Sequence, residues 1–340
     1  MELIEFSKVK MSIPEVIDKK TSKKYINWGD DNKYPNYIWD SYLKCSNLQA
    51  IINTLSDYII GEGISSDYQY LSDDGETINE VLEKCIFDYI LFGGFAIECI
   101  RNKQGKIVRL NYQNVMNVRV DEDLTTAYLS NSWGSWSGKN VVELPLYDKS
   151  EVQDHFLFYY RGHITRNINP IPIWTSALKS VEVLNQTRVY NLNNILNNFN
   201  GSVLISLNGT QLKSEEVKDI KHRLEDQYTG AENAGKIVVV NSPNEEGKVD
   251  IIRLQPDNAS DLYKNLQESS IDDLFVAFRI NPILLGKNNS NSGFSKQEFA
   301  EAYKLYNKTV INPLQNNIIR ALDSLGIEIK FNEFKIDWDE

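Results

Sequence analysis

Apolar residues recur every three or four positions in two stretches of the first 95 residues, a spacing that predicts amphipathic helices. The first stripe comprises Leu48, Ile51, Ile52, Leu55 and Ile59. We expect Ser46 to cap this helix and Gly61 to end it. A second helix is predicted over residues 77–92 and is ended by Gly93 and Gly94. The chain therefore opens as a mainly helical region.

The pattern then changes to the alternation typical of strands. The segment "GFAIECIRNKQGKIVRLNYQ" predicts a hairpin that turns between Asn102 and Gly105, and "NVRV", "TTAYLS" and "HFLFYYRG" predict further strands. Two tryptophans lie in the intervening loop "NSWGSWSGKN". We expect this loop to be a packed hairpin end, and the alternative is a binding tip.

A long helix and a small mixed unit follow. Thr175 is a candidate cap for a helix that reaches about residue 200, where asparagine-rich sequence favours helix only weakly, so packing must hold it. After Gly201 come strand "SVLISL", helix "SEEVKDIKHRLEDQY", and strands "KIVVV" and "VDIIRL", the last two predicted as a hairpin joined by "NSPNEEG". Another helix is predicted from a cap at Asp257 to Asn281, before Pro282.

The stretch "NPILLGKNNSNSGFSKQEF", residues 281–299, combines two fixed ends with a polar middle. Ile283, Leu284 and Leu285 form an apolar anchor, and "GKNNSNSG" contains no core-forming residue. Ser295 and Glu298 predict a capping box, with Phe294 and Phe299 as its hydrophobic staple. The helix that begins there is predicted to reach about residue 325 and to bend at Pro313.

Composition narrows the class of protein. With 41% hydrophobic and 24% charged residues among 340, we expect a folded, soluble chain with either one large core or two to three domains. No run approaches the roughly 20 apolar residues of a membrane span, and the first residues show no signal pattern, which predicts a cytoplasmic origin. The net charge of −11 argues against a protein that holds nucleic acid tightly.

Motifs for catalysis are absent from the sequence. There is no phosphate loop, dinucleotide fingerprint, HExxH or GxSxG. Cys45, Cys85 and Cys99 lack CxxC spacing, so we expect buried free thiols. The acid pairs Asp30–Asp31, Asp73–Asp74 and Asp272–Asp273 invite a metal or general-acid interpretation, but adjacent acids commonly solvate loops and helix starts. We predict no catalytic residue, no cofactor and no metal.

Several segments occur in a distinctive order. They are "WGDDNKYPNYI", "FGGFAIECIRNKQGKIVRLNY", "NNFNGSVLIS", "YTGAENAGKIVVV", "IDDLFVAFRINPILLG" and "TVINPL". In this order and spacing, over about residues 25–325, the chain resembles the portal (connector) proteins of tailed bacteriophages.

The resemblance implies an α+β fold with a mainly helical wing and stem, a small α/β clip and a long C-terminal helix. The implied domains are an N-terminal arm (1–24), wing (25–174), first stem helix (175–200), clip (201–256), second stem helix (257–281), tunnel loop (282–296), and a return helix with a short C-terminal strand (297–340). Because little chain follows the last helix, we expect the helical crown to be short or absent.

The resemblance also assigns roles to two sets of residues. The tunnel loop would face DNA with Lys287, Asn288, Asn289, Ser290, Asn291 and Ser292. Clip turns that dock terminase and neck proteins would comprise Asn208, Gly209, Asn244, Glu245, Glu246 and Lys248. A loop that touches a sliding duplex should be flexible, nearly uncharged and pinned at its ends, and residues 281–299 fit that description. From the residues alone, an ordinary surface loop between helices is the alternative.

The implied function is a ring, expected to be a dodecamer, at the capsid vertex, which packages and ejects double-stranded DNA. Expected partners are further copies of the chain, major capsid protein and scaffold, large terminase, a head–tail adaptor, and transient non-specific double-stranded DNA, with no membrane. The expected location is the virion, after assembly in the host cytoplasm. Two alternatives are a non-ring, prophage-derived adaptor or head-completion protein, and a metal-dependent hydrolase that uses the acid pairs.

Overall fold

The computed structural model describes ten stretches of the chain. They are residues 18, 24–67, 70–133, 141–162, 167–196, 203–208, 237–242, 250–253, 259–287 and 295–335. Contacts divide the chain into two compact units, a larger one within 14–178 and 273–340 and a smaller one within 179–272.

The described helices are α1 (Tyr34–Lys44), α2 (Ser46–Ile60), α3 (Ile78–Phe92), α4 (Leu178–Leu196), α5 (Ala259–Phe278), α6 (Lys296–Tyr306) and α7 (Asn312–Asp323). The described strands are β1 (Ile64–Ser65), β2 (Gly94–Arg101), β3 (Ile107–Gln113), β4 (Val118–Val120), β5 (Thr126–Leu129), β6 (Val142–Pro145), β7 (His155–Arg161), β8 (Val203–Asn208), β9 (Ile237–Ser242), β10 (Asp250–Arg253) and β11 (Lys330–Phe331). The fold is thus α+β, as expected.

Helices α2 and α3 form where the apolar spacing predicts them. Thr77 and Glu80 cap α3 with reciprocal side-chain to backbone bonds, and Gly93 ends it in the left-handed conformation. A Cβ atom on Gly93 would lie 2.0 Å from the Ile171 carbonyl oxygen, so only glycine fits. The predicted cap of α2 is wrong: Ser46 is the first helical residue, because the helix starts directly after Cys45.

Two antiparallel sheets of three strands share one core in the larger unit. Their orders are β3-β2-β7 and β4-β5-β6. The core contains Ala96, Val118, Val120, Ala127, Leu144, Leu146 and Leu157. The alternation predicts every strand of these two sheets except β6, and it also predicts the turn of β2 into β3. The residues of β6, "VELP", are too few and too polar to give a period-2 signal.

A buried carboxylate fastens helix α3 to the first sheet. Asp88 accepts hydrogen bonds from the Tyr112 hydroxyl at 2.9 Å and from the Val115 backbone N–H at 3.1 Å. Burial raises the pKa of Asp88 to about 7, although both hydrogen bonds oppose that shift. The helix and the end of β3 are therefore joined by a group that resists ionisation.

The buried guanidinium of Arg119 joins the second sheet to the loop before α1. The Arg119 side chain donates to the Asn32 side-chain oxygen at 2.5 Å and to the Val118 carbonyl oxygen at 2.7 Å. Its guanidinium lies 5.0 Å from the Trp133 ring and 5.5 Å from the Trp28 ring. Trp133 is therefore packed, as expected of a hairpin end, while its neighbours 134–140 lie outside the described residues.

The C-terminal helix is interrupted rather than continuous. Helix α6 passes through a π-helical turn, Asn307–Ile311, into α7, with Pro313 at the start of α7. Proline has no N–H and its ring displaces the preceding turn, which favours such a bulge. Helical spacing predicts burial at six positions along this helix. Tyr306, Val310, Leu314, Ile318 and Leu322 are buried as predicted, whereas Phe299 is only half-buried.

Residues before α4 also differ from expectation. Thr175 was predicted to cap the long helix, but its hydroxyl donates to the Pro172 carbonyl oxygen at 2.7 Å and starts a 3-10 turn, Thr175–Ala177. The ring of Trp174 stacks on that of Phe278 at 6.2 Å. The region ahead of α4 is therefore fixed by the end of α5.

In the smaller unit, β8 is the central strand of a three-stranded sheet. It pairs in parallel with β9 and antiparallel with β10. The predicted hairpin between β9 and β10 is therefore wrong, since these strands lie on opposite sides of β8. A parallel pair needs a long connection, and residues 209–236 supply the length for one. The predicted cap Asp257 lies outside the described residues.

The buried carboxyl group predicts a pH-dependent stability. Below about pH 4 Asp88 is protonated in both folded and unfolded chains. Between about pH 4 and 7 the unfolded chain loses this proton while the folded chain keeps it, so this group lowers the free energy of unfolding as pH rises, by at most about 4 kcal/mol. We expect Asp88→Asn to match the natural chain below about pH 4 and to exceed it at pH 8, in urea unfolding. Equal pH slopes for the two proteins would contradict this prediction.

Candidate functional site

The residues that lead into the predicted tunnel loop end one helix and start a turn within a few positions. Arg279 takes the left-handed conformation, with φ at 53°, and the Ile280 N–H donates to the Phe275 carbonyl oxygen at 2.9 Å. These features end α5 in the way that usually requires glycine. The Asn281 side-chain oxygen then accepts from the Ile283 N–H at 3.1 Å. The chain direction is thus set before the loop starts.

A 3-10 turn, Pro282–Leu285, anchors the loop at its first end. Ile283 and Leu284 are buried, and the Leu284 carbonyl oxygen accepts a 2.8 Å hydrogen bond from the Tyr58 hydroxyl in α2. Burial raises the pKa of Tyr58, so this hydroxyl stays a donor. The turn is therefore tied to a helix more than two hundred residues earlier in the chain.

The same tyrosine contacts the helix that follows the loop. The ring of Tyr58 lies 5.3 Å from that of Tyr303 in α6 and 5.3 Å from that of Phe334, both edge-on. Tyr303 and Phe334 contact each other at 5.8 Å. Burial raises the pKa of Tyr303 to about 12. The turn before the loop and the helix after it are therefore joined at one aromatic cluster, made of Tyr58, Tyr303 and Phe334.

Lys287 is the last residue described before the loop. Its N–H donates to the Pro282 carbonyl oxygen at 3.1 Å, after Gly286 in the left-handed conformation. The Lys287 ammonium lies 5.5 Å from the centre of the Phe275 ring, while the side chain is exposed. A cation over an aromatic face is attracted by the ring quadrupole. The Phe275 ring therefore attracts the positive charge at the start of the loop.

The helix that follows the loop, α6, is capped by Ser295 as the sequence predicts. The Ser295 hydroxyl oxygen accepts from the Glu298 N–H at 3.2 Å, which is one half of the predicted capping box. The other predicted loop residues, Asn288, Asn289, Ser290, Asn291 and Ser292, and the staple residue Phe294 lie outside the described residues.

One of the six predicted docking residues is described. Asn208 is the last residue of β8 and pairs in register with Ser242, the last residue of β9. Gly209, Asn244, Glu245, Glu246 and Lys248 lie outside the described residues. Because parallel strands end at the same edge of a sheet, the chain leaves β8 and β9 side by side.

The acid pairs do not assemble a reactive centre in the described part of the chain. All six carboxylates are exposed. Asp73 accepts from the Asn111 amide at 2.7 Å and pairs with Arg109, and these contacts lower the pKa of Asp73. Among the described residues, no three His, Cys, Asp or Glu side chains meet in a way that suits a metal ion.

Two residues of this site were not predicted from the sequence. Tyr58 follows Ile51 and Leu55 at helical spacing, so its burial was predictable. The spacing does not indicate that its hydroxyl contacts Leu284. Phe275 belongs to α5, and its position in the sequence does not indicate that it contacts Lys287.

Within the described residues, no helix has both the length and the apolar content needed to cross a membrane.

Comparison with known proteins decides the family. The sequence model of the phage portal protein family matches residues 71–340, more than three quarters of the chain. The chain belongs to the phage portal protein family. No curated protein matches it.

Solved structures share the portal fold at low sequence identity. One is the neck of a native gene transfer agent particle, computed with C12 symmetry, with 15% identity, a TM-score of 0.56, and coverage of 89% of this chain and 86% of that one. A second is the virion of a native gene transfer agent particle, with 16% identity, a TM-score of 0.58, and coverage of 91% and 84%. A third is an HK97-family phage portal protein from Corynebacterium diphtheriae, with 13% identity, a TM-score of 0.52, and coverage of 86% and 94%.

The aromatic cluster predicts a local effect of one hydroxyl group. We expect Tyr58→Phe to lower the free energy of unfolding by about 1 to 2 kcal/mol, because the buried Leu284 carbonyl oxygen is left without its donor. Hydrogen exchange at Gly286 and Lys287 should accelerate at the same time. Tyr147→Phe is the matched control, since Tyr147 donates to the Ser324 carbonyl oxygen at 2.5 Å outside the cluster. Equal acceleration in both variants would contradict the assigned anchor.

Proposed function

We propose that this portal-family chain is the subunit of a ring at a capsid vertex, through which double-stranded DNA is packaged and ejected. The observation that carries this proposal is the cluster of Tyr58, Tyr303 and Phe334, which joins the turn before the predicted tunnel loop to the helix after it. A segment that must touch moving DNA and stay in the channel needs fixed ends and a free middle. The ring has no catalysis of its own and uses no cofactor.

The charge of the loop and of the whole chain supports contact with DNA without tight binding. Phosphate binding strengthens with each cation that neutralises a phosphate, and a loop with many lysines would hold DNA still. The loop sequence carries one lysine, Lys287, and the whole chain has a net charge of −11. A ring of such chains repels the duplex weakly along most of its path and attracts it only at the loop.

The clip turns form the second part of the proposal. Asn208 ends β8 and Gly209 follows it, while Asn244, Glu245, Glu246 and Lys248 follow β9 in the sequence, and these two strands end side by side. We therefore assign both turns to one docking surface for the large terminase during packaging and for neck proteins afterwards. The arm, wing, stem, clip and tunnel-loop boundaries of the sequence analysis belong to this same proposal, as do contacts with major capsid protein and scaffold.

Assembly separates this function from its alternatives. Since a structurally similar neck was computed with C12 symmetry, we expect the purified protein to form rings with a central hole and a mass about twelve times 39.1 kDa. Mass photometry and negative-stain electron microscopy measure both properties. A protein that stays monomeric alone and with its scaffold would contradict the ring and favour an adaptor. Metal-dependent turnover would favour a hydrolase.

The single loop cation predicts a specific effect on DNA retention. In assembled rings, Lys287→Ala should weaken retention of double-stranded DNA and reduce the slope of log affinity against log salt by about 0.9 for each phosphate that is no longer neutralised. Phe275→Leu should have a smaller effect in the same direction, because the lysine remains without the aromatic ring beneath it.

Lys304→Ala is the matched control for this experiment. Lys304 is an exposed lysine in α6, so the variant removes the same charge outside the loop. Equal loss of retention in Lys287→Ala and Lys304→Ala would show that total charge, rather than the loop, controls DNA retention.

A further inference from the structure

A largely apolar groove of about 500 Å³ lies within the larger unit. One wall is residues 171–173, ahead of α4, and a second is residues 277–279, at the end of α5. A third wall is the C-terminal helix around its π-helical turn, with Val310 and Leu314 among its groove residues. Cavities of this size with mostly apolar walls suit apolar side chains or ligands. The lining therefore favours an apolar occupant.

The groove leaves one large apolar side chain partly uncovered. Ile173 lines it and is 42% exposed. Gly93 and Gly162 also line the groove, and neither has a side chain that could fill it. Burial of an apolar side chain is favourable roughly in proportion to the area that is removed from water. An apolar segment that covers Ile173 would therefore be stabilised in this position.

One residue of the N-terminal arm, Asp18, is bound close to this groove. Its carboxylate accepts hydrogen bonds from the Ile168 backbone N–H, from the Asn169 backbone N–H at 3.2 Å and from the Asn169 side-chain amide at 2.7 Å. Asn169 is buried and lies two residues before Ile171, where this segment begins to line the groove. Asp18 therefore marks the place where the arm meets the larger unit.

The arm sequence immediately before Asp18 suits an apolar groove. Residues 13–17, "IPEVI", lie outside the described residues, and four of the five are apolar. Pro14 has a fixed φ and favours an extended conformation at Ile13. In an extended segment, side chains two positions apart lie on the same side, so Val16 and Pro14 share the side of the Asp18 carboxylate. That side faces the larger unit, because Asp18 is bound there.

The length of this segment matches the span from Asp18 to the groove. Asn169, which Asp18 binds, and Ile173 are four positions apart, so at most about 14 Å separates their Cα atoms. The four residues before Asp18 cover the same span when extended and end at Pro14. Residues 14–17 can therefore run beside residues 169–173 and bring their apolar side chains over the groove.

We propose that Pro14 and Val16 of the arm occupy this groove in the same chain. The docked arm covers Ile173 and contacts the end of α5, just before the predicted tunnel loop, and the C-terminal helix that follows the loop. It therefore braces the two segments from which the loop starts and to which it returns. This docking is a property of the single chain and does not require the proposed ring.

Trypsin cleavage after Lys19, next to Asp18, measures this docking in the full chain. A protease cleaves such a segment in proportion to the fraction of chains in which it is released. We expect Val16→Asp to accelerate the cleavage at least about tenfold, because it places a carboxylate in an apolar groove. Ser12→Asp adds the same charge to the arm outside the docked segment and should change the rate less than about threefold. Circular dichroism melts verify that both chains fold, and mass spectrometry identifies the cleaved bond.

A crosslink identifies the occupant directly. The three natural cysteines are buried, and Glu15 is expected on the outer side of the docked segment, so Glu15→Cys adds an accessible thiol without changing the docked side chains. We expect bismaleimidoethane to join Glu15→Cys to Ile173→Cys within one chain. Val152→Cys is the control for Ile173→Cys, because Val152 is exposed and β7 separates it by about 20 Å from Gly162 at the groove. Glu15→Cys with Val152→Cys should stay largely uncrosslinked.

These results separate the docking from its alternatives. Equal cleavage of Val16→Asp and Ser12→Asp, or equal crosslinking at Ile173→Cys and Val152→Cys, overturns the docking. Crosslinked dimers in place of internally crosslinked single chains would assign the groove to the arm of a neighbouring copy, and would overturn the occupant proposed above. Both measurements report on individual chains, so a protein that forms no ring contradicts the proposed function and leaves this inference standing.

Discussion

The candidate site depends on a single tyrosine that joins the turn before the predicted tunnel loop to the helix after it. Tyr58 donates to the Leu284 carbonyl oxygen before the loop and packs edge-on against Tyr303 after it. These two contacts of one residue fix the turn and the helix relative to each other, and so set where the connecting segment starts and where it ends. The rest of the larger unit supports this point: the Gln315 amide donates to the Ile59 carbonyl oxygen at 2.8 Å, which ties α7 to the end of α2 beside Tyr58.

Local signals predicted most of the fold, and long-range pairing accounts for what they missed. Thr77, Glu80 and Gly93 fix both ends of α3 through bonds within a few residues, so the sequence alone predicts that helix. The order of β8, β9 and β10 depends on pairing between distant segments, and no local pattern states which strand is central. Asp88 and Arg119 are similar cases, because only the folded chain brings Tyr112, Val115 and Asn32 to them.

The candidate site likewise contains residues that local sequence predicts and contacts that it does not predict. Ile283, Leu284 and the cap at Ser295 were predictable, because apolar runs and capping residues act on their immediate neighbours. The partners Tyr58 and Phe275 were not predictable, since their contacts with Leu284 and Lys287 arise from the packing of separate helices. The sequence thus indicated that the loop is anchored, and the structure identifies the anchor. Family membership rests on the match over residues 71–340 and not on these contacts.

The most direct measurement is a cryo-electron microscopy map of the assembled ring at side-chain resolution. The central claim is that the loop anchored at Tyr58 faces the channel. The account predicts that Lys287 and the residues after it lie on the inner wall, one loop from each subunit, at the narrowest part of the channel. A ring in which this loop lies on the outer wall would contradict the account, even if the subunits were otherwise arranged as expected.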